Sequence, residues 1–313
     1  MNFRLGIVGG GQLGRMMAFD AKKLGFTVTV LDPTPHSPAG QVADEQVVAA
    51  YDDDAAVRKL AAAVDFITYD IESAGKGVLA ELAENGKPVN PSPSTLEMIR
   101  DKLGQHRWLR DAGLPVAEFM DVETNEDIAR AGEMFGYPLV LKARFDAYDG
   151  RGNVIIKSSD EIATTKQKLE GRKLYAEQWV TFTGELAVVT ARSMEGATAV
   201  YDVVETVHEN NICHMVFAPA RVDEGVARKA HELAKQVVGK LAGAGVFAVE
   251  MFVAADGEVL VNEIAPRVHN SGHLTIEAAI TSQFEQHVRA VTGLPLGDTS
   301  LKVPAAVMIN ILG

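Results

Sequence analysis

Glu250-Met251-Phe252-Val253-Ala254-Ala255-Asp256-Gly257-Glu258-Val259-Leu260-Val261-Asn262-Glu263 reads as two apolar strands on either side of an Asp-Gly turn. If Asp256 and Gly257 close a two-residue hairpin, Glu250 and Glu263 stand opposite each other on one face of the ladder. Directly opposed like charges destabilise a strand pair, so a cation between them is expected. Mg2+ suits the position, because this hard ion is commonly held by one or two carboxylates together with substrate phosphates. The alternative is a pair of solvated glutamates on an exposed strand face. The hairpin thus points to nucleotide chemistry, which requires phosphate-binding groups elsewhere in the chain.

Upstream, residues 138–145 read as a strand, 146–153 as a polar glycine-bearing loop and 154–157 as the returning strand. A charged helix at 159–169 and a strand pair at 175–181 and 186–193 complete a small α+β module. Lys142 sits in a strand otherwise made of Leu139, Val140, Leu141 and Ala143, so its ammonium must snorkel out or meet an anion. The loop Tyr148-Asp149-Gly150-Arg151-Gly152 can close over phosphates with backbone N–H groups and a guanidinium, with a plain hairpin turn as the alternative. Glu177-Gln178-Trp179-Val180 ends a strand before a loop, a weak signal for a segment that reads an adenine edge.

At the N-terminus an apolar run ends in Gly9-Gly10-Gly11-Gln12-Leu13-Gly14. A helix carrying Met16, Met17, Phe19, Ala21 and Leu24 follows and stops at Gly25, and a second strand occupies 26–31. This βαβ opening, continued by a helix at 54–63 and a strand at 65–71, predicts a parallel α/β sheet with its ligand edge at the strand carboxyl ends. Gly9, Gly11, Gly14 and Asp32 satisfy the dinucleotide fingerprint, so an NAD enzyme stays open as an alternative. Gln12 adds an amide within reach of a phosphate. Glu72 lies at or just past the end of the third strand, where the alternative is an ordinary loop carboxylate. Pro88, Pro91 and Pro93 mark a boundary, after which Ser94 or Thr95 can cap a helix bearing Leu96, Ile99, Leu103 and Trp108.

Beyond a helix at 225–241 and the hairpin, Ile276, Ile280, Phe284 and Val288 repeat every four residues, predicting one buried helical stripe ended by Gly293. His269 and His273 have the spacing of a zinc pair. Gly272 lies between them, however, and neither a cysteine nor an obvious third ligand accompanies them. Asn270-Ser271-Gly272, with Arg267 close by, makes a better anion site. The apolar stretch 303–313 either pairs backwards into the last module or belongs to a chain that continues.

Composition narrows the classes. At 313 residues, 47% hydrophobic and 23% charged, the chain is long enough for two or three layered domains. A net charge of −12 argues against a nucleic-acid partner. Apolar runs are too short for a membrane helix and Met1-Asn2-Phe3-Arg4 leads straight into a strand, so a cytoplasmic protein without a membrane partner is expected. The single cysteine, Cys213, excludes an internal disulfide.

Taken together these motifs resemble the N5-carboxyaminoimidazole ribonucleotide synthetases, ATP-grasp carboxylases of purine biosynthesis. The likeness runs from Leu5 to Gly313. Its most specific parts are Gly9-Gly10-Gly11-Gln12-Leu13-Gly14-Arg15-Met16, the Tyr148 loop, Ala218-Pro219-Ala220-Arg221, Asn262 through His273, and Thr281-Ser282-Gln283-Phe284-Glu285-Gln286-His287. The resemblance implies an ATP-grasp fold behind an N-terminal Rossmann-like domain. The expected domains are residues 1–95, a central small subdomain at 96–180 and a C-terminal subdomain at 181–313, with ATP between the last two. It implies that Lys102 and Lys142 hold ATP phosphates under the loop Ala147, Tyr148, Asp149, Gly150, Arg151, Gly152 and Asn153. Glu177, Gln178, Trp179, Val180 and Glu185 would surround adenine and ribose, with His208 nearby and Asn262 at the edge of the ATP site. Glu250 and Glu263 would bind Mg2+, or Mn2+ in its place. Aminoimidazole ribonucleotide would meet Gly11, Gln12, Glu72, Tyr148, Asp149, Arg151, His269, Asn270, Ser271 and His273. Arg267, Lys142 and Arg151 would serve catalysis: ATP phosphorylates bicarbonate to carboxyphosphate, whose CO2 the substrate amine captures. A homodimer is also implied.

Three departures from the family pattern qualify the expectation. Ala147 replaces a glycine of the loop. Tyr69-Asp70-Ile71-Glu72-Ser73 differs from the usual Glu-Phe-Glu-Asn form but keeps its second acid. Family members also continue past the position of Gly313 with a segment rich in Lys, Arg and Gly that helps bind the ribonucleotide phosphate, so the fold is expected shortened at its C-terminus and ATP binding to survive better than carboxylation. A nucleotide-binding protein without turnover and a sister purine ligase are the rival readings.

Overall fold

The computed structural model describes residues 3–74, 77–146, 152–209 and 212–311. Its N-terminal sheet is parallel, in the order Glu45–Val48, Thr27–Asp32, Arg4–Val8 and Phe66–Tyr69. Leu5, Ile7, Val8, Val28 and Val30 are wholly buried, as expected for parallel strands covered on both faces. The helix Gln12–Lys23 follows the first strand directly, and Asp53 caps the helix Asp54–Ala63 by accepting from the Ala56 N–H.

The helix expected to run through Trp108 is two helices. Ser92, not Ser94 or Thr95, caps Pro93–Arg100, with Pro93 in the first turn where its missing N–H costs nothing. Asp101 then breaks the run and caps Lys102–Asp111 through the Leu103 N–H. A second sheet, antiparallel, has the order Phe119–Val122, Leu174–Gln178, Leu139–Ala143, Asn153–Ile156. The helix Asn125–Phe135, held by a capping box of Thr124 and Asp127, packs on it.

The third sheet runs Val259–Ala265, Gly245–Ala254, Phe182–Arg192, Val204–Glu209, Ile212–Ala218, Ala306–Ile309, with Thr198–Val200 added to Phe182–Arg192. Leu174–Gln178 and Phe182–Arg192, expected to pair, therefore belong to different sheets, and residues 179–181 cross between them. The apolar 306–309 stretch pairs backwards, lying antiparallel on Ile212–Ala218. The strand Gly245–Ala254 alternates cleanly. Val246 and Ala248 share a core with Phe284, Val288 and the N-terminal Met17 and Val28, whereas Phe247 and Val249 face Leu233 and Val237 of the helix Glu224–Lys240.

The single final helix is a correction. Thr275–Ala278 stops at an extended Ala279, and Ser282 caps a separate helix, Gln283–Thr292, ended by left-handed Gly293. Phe284 and Val288 are buried, but Ile276 and Ile280 lie 43% and 57% exposed, so the four-residue stripe is half real. From that helix, buried His287 joins the first and third sheets. The Val246 N–H donates to its Nδ1 at 3.1 Å, so the ring proton is on Nε2 and donates to Thr68 Oγ1 at 2.7 Å. Among the described residues no helix is long and apolar enough to cross a membrane.

Candidate active site

The hairpin pairs Glu250 with Glu263 as expected, by a different route. Its tip is three residues, Ala255 to Gly257, with Gly257 at φ 81 and the Ala254 N–H bonded to the Glu258 carbonyl. That places Val253 opposite Val259 and Met251 opposite Val261, one residue out of the two-residue register. A bulge between Glu250 and Met251 then leaves Asn262 as the extra residue and restores the pairing of the acids. The strict alternation that would turn Asn262 away from its neighbour does not hold at this point.

Lys102 opens its helix beside the hairpin and donates to Glu263 at 2.6 Å. Burial alone would raise Glu263, yet the lysine holds this carboxyl well below the usual range. Glu250 shifts the other way, because burial and the Glu263 charge both favour its protonated form. Its nearest partner is His269, whose Nε2 lies 3.2 Å away. The Ser271 N–H donates to His269 Nδ1, so the imidazole is neutral with its proton on Nε2, toward Glu250; burial and the charge of Arg267 push the ring down to about 3.

From the second sheet, Lys142 meets Glu177 at 2.7 Å, so its ammonium has found an anion within the fold. Glu177 is buried and also takes His106 Nε2 at 2.7 Å; burial pulls its carboxyl upward, but the Lys142 charge and the His106 hydrogen bond hold it at about 2. With its carboxylate so engaged, the segment 177–180 has its backbone and the 39% exposed Trp179 to offer a ligand. His208 lies 3.2 Å from Glu185, which raises the histidine. Gly152 at φ 110 accepts from the Ala143 N–H, and Asn153 begins the returning strand. Ala147, Tyr148, Asp149, Gly150 and Arg151 lie outside the described residues.

Sequence reasoning missed two members of this cluster. Gln105 donates to the Ile264 carbonyl and accepts its N–H, and His106 holds Glu177. With Lys102 they form the first turns of one helix, which brackets the third sheet on one side and the second on the other. The available signal was a pair of polar residues on the buried face between Leu103 and Leu109.

On the N-terminal edge, Arg267 lies 3.4 Å from Glu72 and donates to the Val268 carbonyl. Asn270 and Ser271 form a short 3-10 turn with Gly272, and Ser271 Oγ lies 2.9 Å from His269 Nδ1. The glycine turn departs from the dinucleotide reading. The Gly11 and Gly14 N–H groups both donate to Asp70 at 3.0 Å, and a Cβ on Gly9 would lie 1.6 Å from its Oδ1. The seat of a pyrophosphate is filled by the protein's own carboxylate. Asp32 is equally engaged, accepting from Gly10 N–H, Thr34 N–H and Tyr51 Oη, so the acid of the fingerprint is committed to the fold rather than to a ribose. Gln12 starts the helix with an exposed side chain.

Residues 107–284 match the ATP-grasp domain model, and residues 2–100 match the ribonucleotide synthetase preATP-grasp domain. The N5-carboxyaminoimidazole ribonucleotide synthase of Bacillus subtilis is 43% identical across 99% of this chain and 81% of its own. The chain belongs to the N5-carboxyaminoimidazole ribonucleotide synthase family. The architecture is accordingly an ATP-grasp fold behind a preATP-grasp domain. An Aspergillus clavatus synthase, solved in complex with ADP and 5-aminoimidazole ribonucleotide, superposes with a TM-score of 0.93 at 41% identity, covering 100% of this chain and 82% of that one. The phosphoribosylaminoimidazole carboxylase of Ogataea methanolica is 45% identical over 99% of this chain, which spans 58% of that relative's length.

Proposed function

We propose that the chain carboxylates 5-aminoimidazole ribonucleotide with bicarbonate at the expense of ATP, through carboxyphosphate, as a cytoplasmic homodimer like the family it belongs to. The observation that carries this reading is the convergence of two opposed carboxylates, Glu250 and Glu263, with Lys102 between the second and third sheets. Those acids fit a divalent ion, Mg2+ or in its place Mn2+. Burial and its neighbour's charge push Glu250 up, so the pair is short of positive charge. When bound, the ion offsets charge on the β- and γ-phosphates.

The chain's own groups supply the rest. Lys102 and Lys142 lie where they can exchange a glutamate for phosphate oxygens, a charge-assisted contact that strengthens as charge develops on the transferring group. Glu177 to Val180 line the nucleotide side, with Glu185, His208 and Asn262 along the third sheet. The family likeness gives the loop of residues 147–153 the task of keeping water from a labile acyl phosphate. The ribonucleotide lies against Gln12, Glu72, Arg267 and the turn 269–273, where neutral imidazoles accept or donate without adding charge.

The test is phosphate release from ATP in the presence and absence of bicarbonate and the ribonucleotide. Release that requires both supports the reading. Release with glycinamide ribonucleotide and formate instead transfers the chain to a sister ligase, and Mg-ATP binding without ribonucleotide-dependent release reduces it to a binding protein.

A further inference from the structure

Gln283 belongs to the Thr281 to His287 motif, which the proposed reaction leaves without a task. It is wholly buried at the start of the helix Gln283–Thr292. Its side-chain amide does what a neighbouring strand would do: Oε1 accepts the His269 N–H at 2.9 Å, and Nε2 donates to the His269 carbonyl at 2.7 Å. This pairing settles which end of the amide is nitrogen, since the reverse sets N–H against N–H and carbonyl against carbonyl. The other Nε2 proton faces His273 Nδ1 at 3.4 Å, a long bond in which the imidazole nitrogen must accept. Burial holds His273 down to about 4, so at neutral pH the ring carries a single proton, and it sits on Nε2. That atom is shut off from solvent and has no hydrogen-bond partner among the described residues. A buried donor without an acceptor is rare and costly unless a ligand completes it. Gly272 leaves room for the arrangement, because a Cβ there would meet Gln283 Oε1 at 2.4 Å.

We propose that Gln283 is a positioning residue that holds His273 as the Nε2–H tautomer, keeping one fixed donor ready for an acceptor atom of the bound ribonucleotide. The substrate reading enters only through the identity of that acceptor; the tautomer is a property of the unliganded protein.

Nitrogen-15 NMR of the full chain labelled at histidine, with His273 assigned from the signals lost in His273→Gln, is expected to show a protonated Nε2 and a bare Nδ1. A protonated Nδ1 in the wild type overturns the proposal by itself, whatever the variants do. Gln283→Glu keeps the volume but sets an oxygen against both the His269 carbonyl and Nδ1, so one bond to the turn is lost and the proton should move to Nδ1. The KM for the ribonucleotide should then rise about tenfold while the KM for ATP stays within about twofold. A variant that keeps the Nε2–H tautomer, or that raises both KM values alike, overturns the positioning role. If the chain proves inactive on the ribonucleotide, the substrate reading fails, and the tautomer shift still decides for or against Gln283.

Discussion

The glycine turn at residues 9–14 and the acid pair on the hairpin both look in sequence like ends of a nucleotide site, yet their charges are handled in opposite ways. At the turn, Asp70 fills the anion seat and every backbone donor it faces is satisfied within the fold. At the hairpin, two carboxylates oppose each other and Lys102 balances Glu263, while burial and the Glu263 charge leave Glu250 to favour a proton. A closed set of hydrogen bonds builds structure, whereas an unbalanced set of charges waits for a ligand.

Breaking the hairpin should have the largest effect. Glu263→Gln keeps the shape but removes one of the opposed charges, and ribonucleotide-dependent phosphate release should fall by roughly 10² to 10³-fold. A fall of less than tenfold would mean that the pair is structural, like Asp70.

The turn should respond in stability instead. Burial outweighs the two N–H bonds and lifts Asp70 from 3.8 to about 6. The folded chain therefore holds a proton that the unfolded chain has already lost, and stability falls as pH rises through the window from about 4 to about 6. The full size is about 3 kcal/mol. Asp70→Asn does not titrate, so wild type should lose about that much relative to the variant between pH 4 and pH 7 in urea unfolding. A difference that stays level with pH contradicts the buried ionisation. The smallest effect sharpens the contrast most: Asp70→Asn should leave the Kd for Mg-ATP within about twofold by calorimetry, because the turn is not a nucleotide seat.

The sequence made some of this legible and hid the rest for physical reasons. The parallel sheet was readable because Leu5 to Val8 and Val28 to Leu31 are short apolar runs interrupted only by Gly6 and Thr29. The pairing of Glu250 with Glu263 was reached through a two-residue turn, although a three-residue tip and the Asn262 bulge each shift the register by one residue and cancel. Apolar periodicity carried Ile276 and Ile280 into the last helix because it does not report the break at Ala279, which Ser282 enforces by capping anew. Residues 174–178 and 182–192 looked like a hairpin because a short connection reads alike whether a chain turns back or changes sheet. Lys102 and Lys142 came from family likeness and strand context, but Gln105 and His106 went unnoticed and Gln283 was read only as part of a motif. Their importance lies in partners far along the chain, which no local pattern records.

The helix Lys102–Asp111 grips Glu263 through Lys102, Ile264 through Gln105 and Glu177 through His106. The second and third sheets are thus gauged against one rigid rod. Any motion of one sheet against the other has to rupture one of these links or use the rod as its hinge.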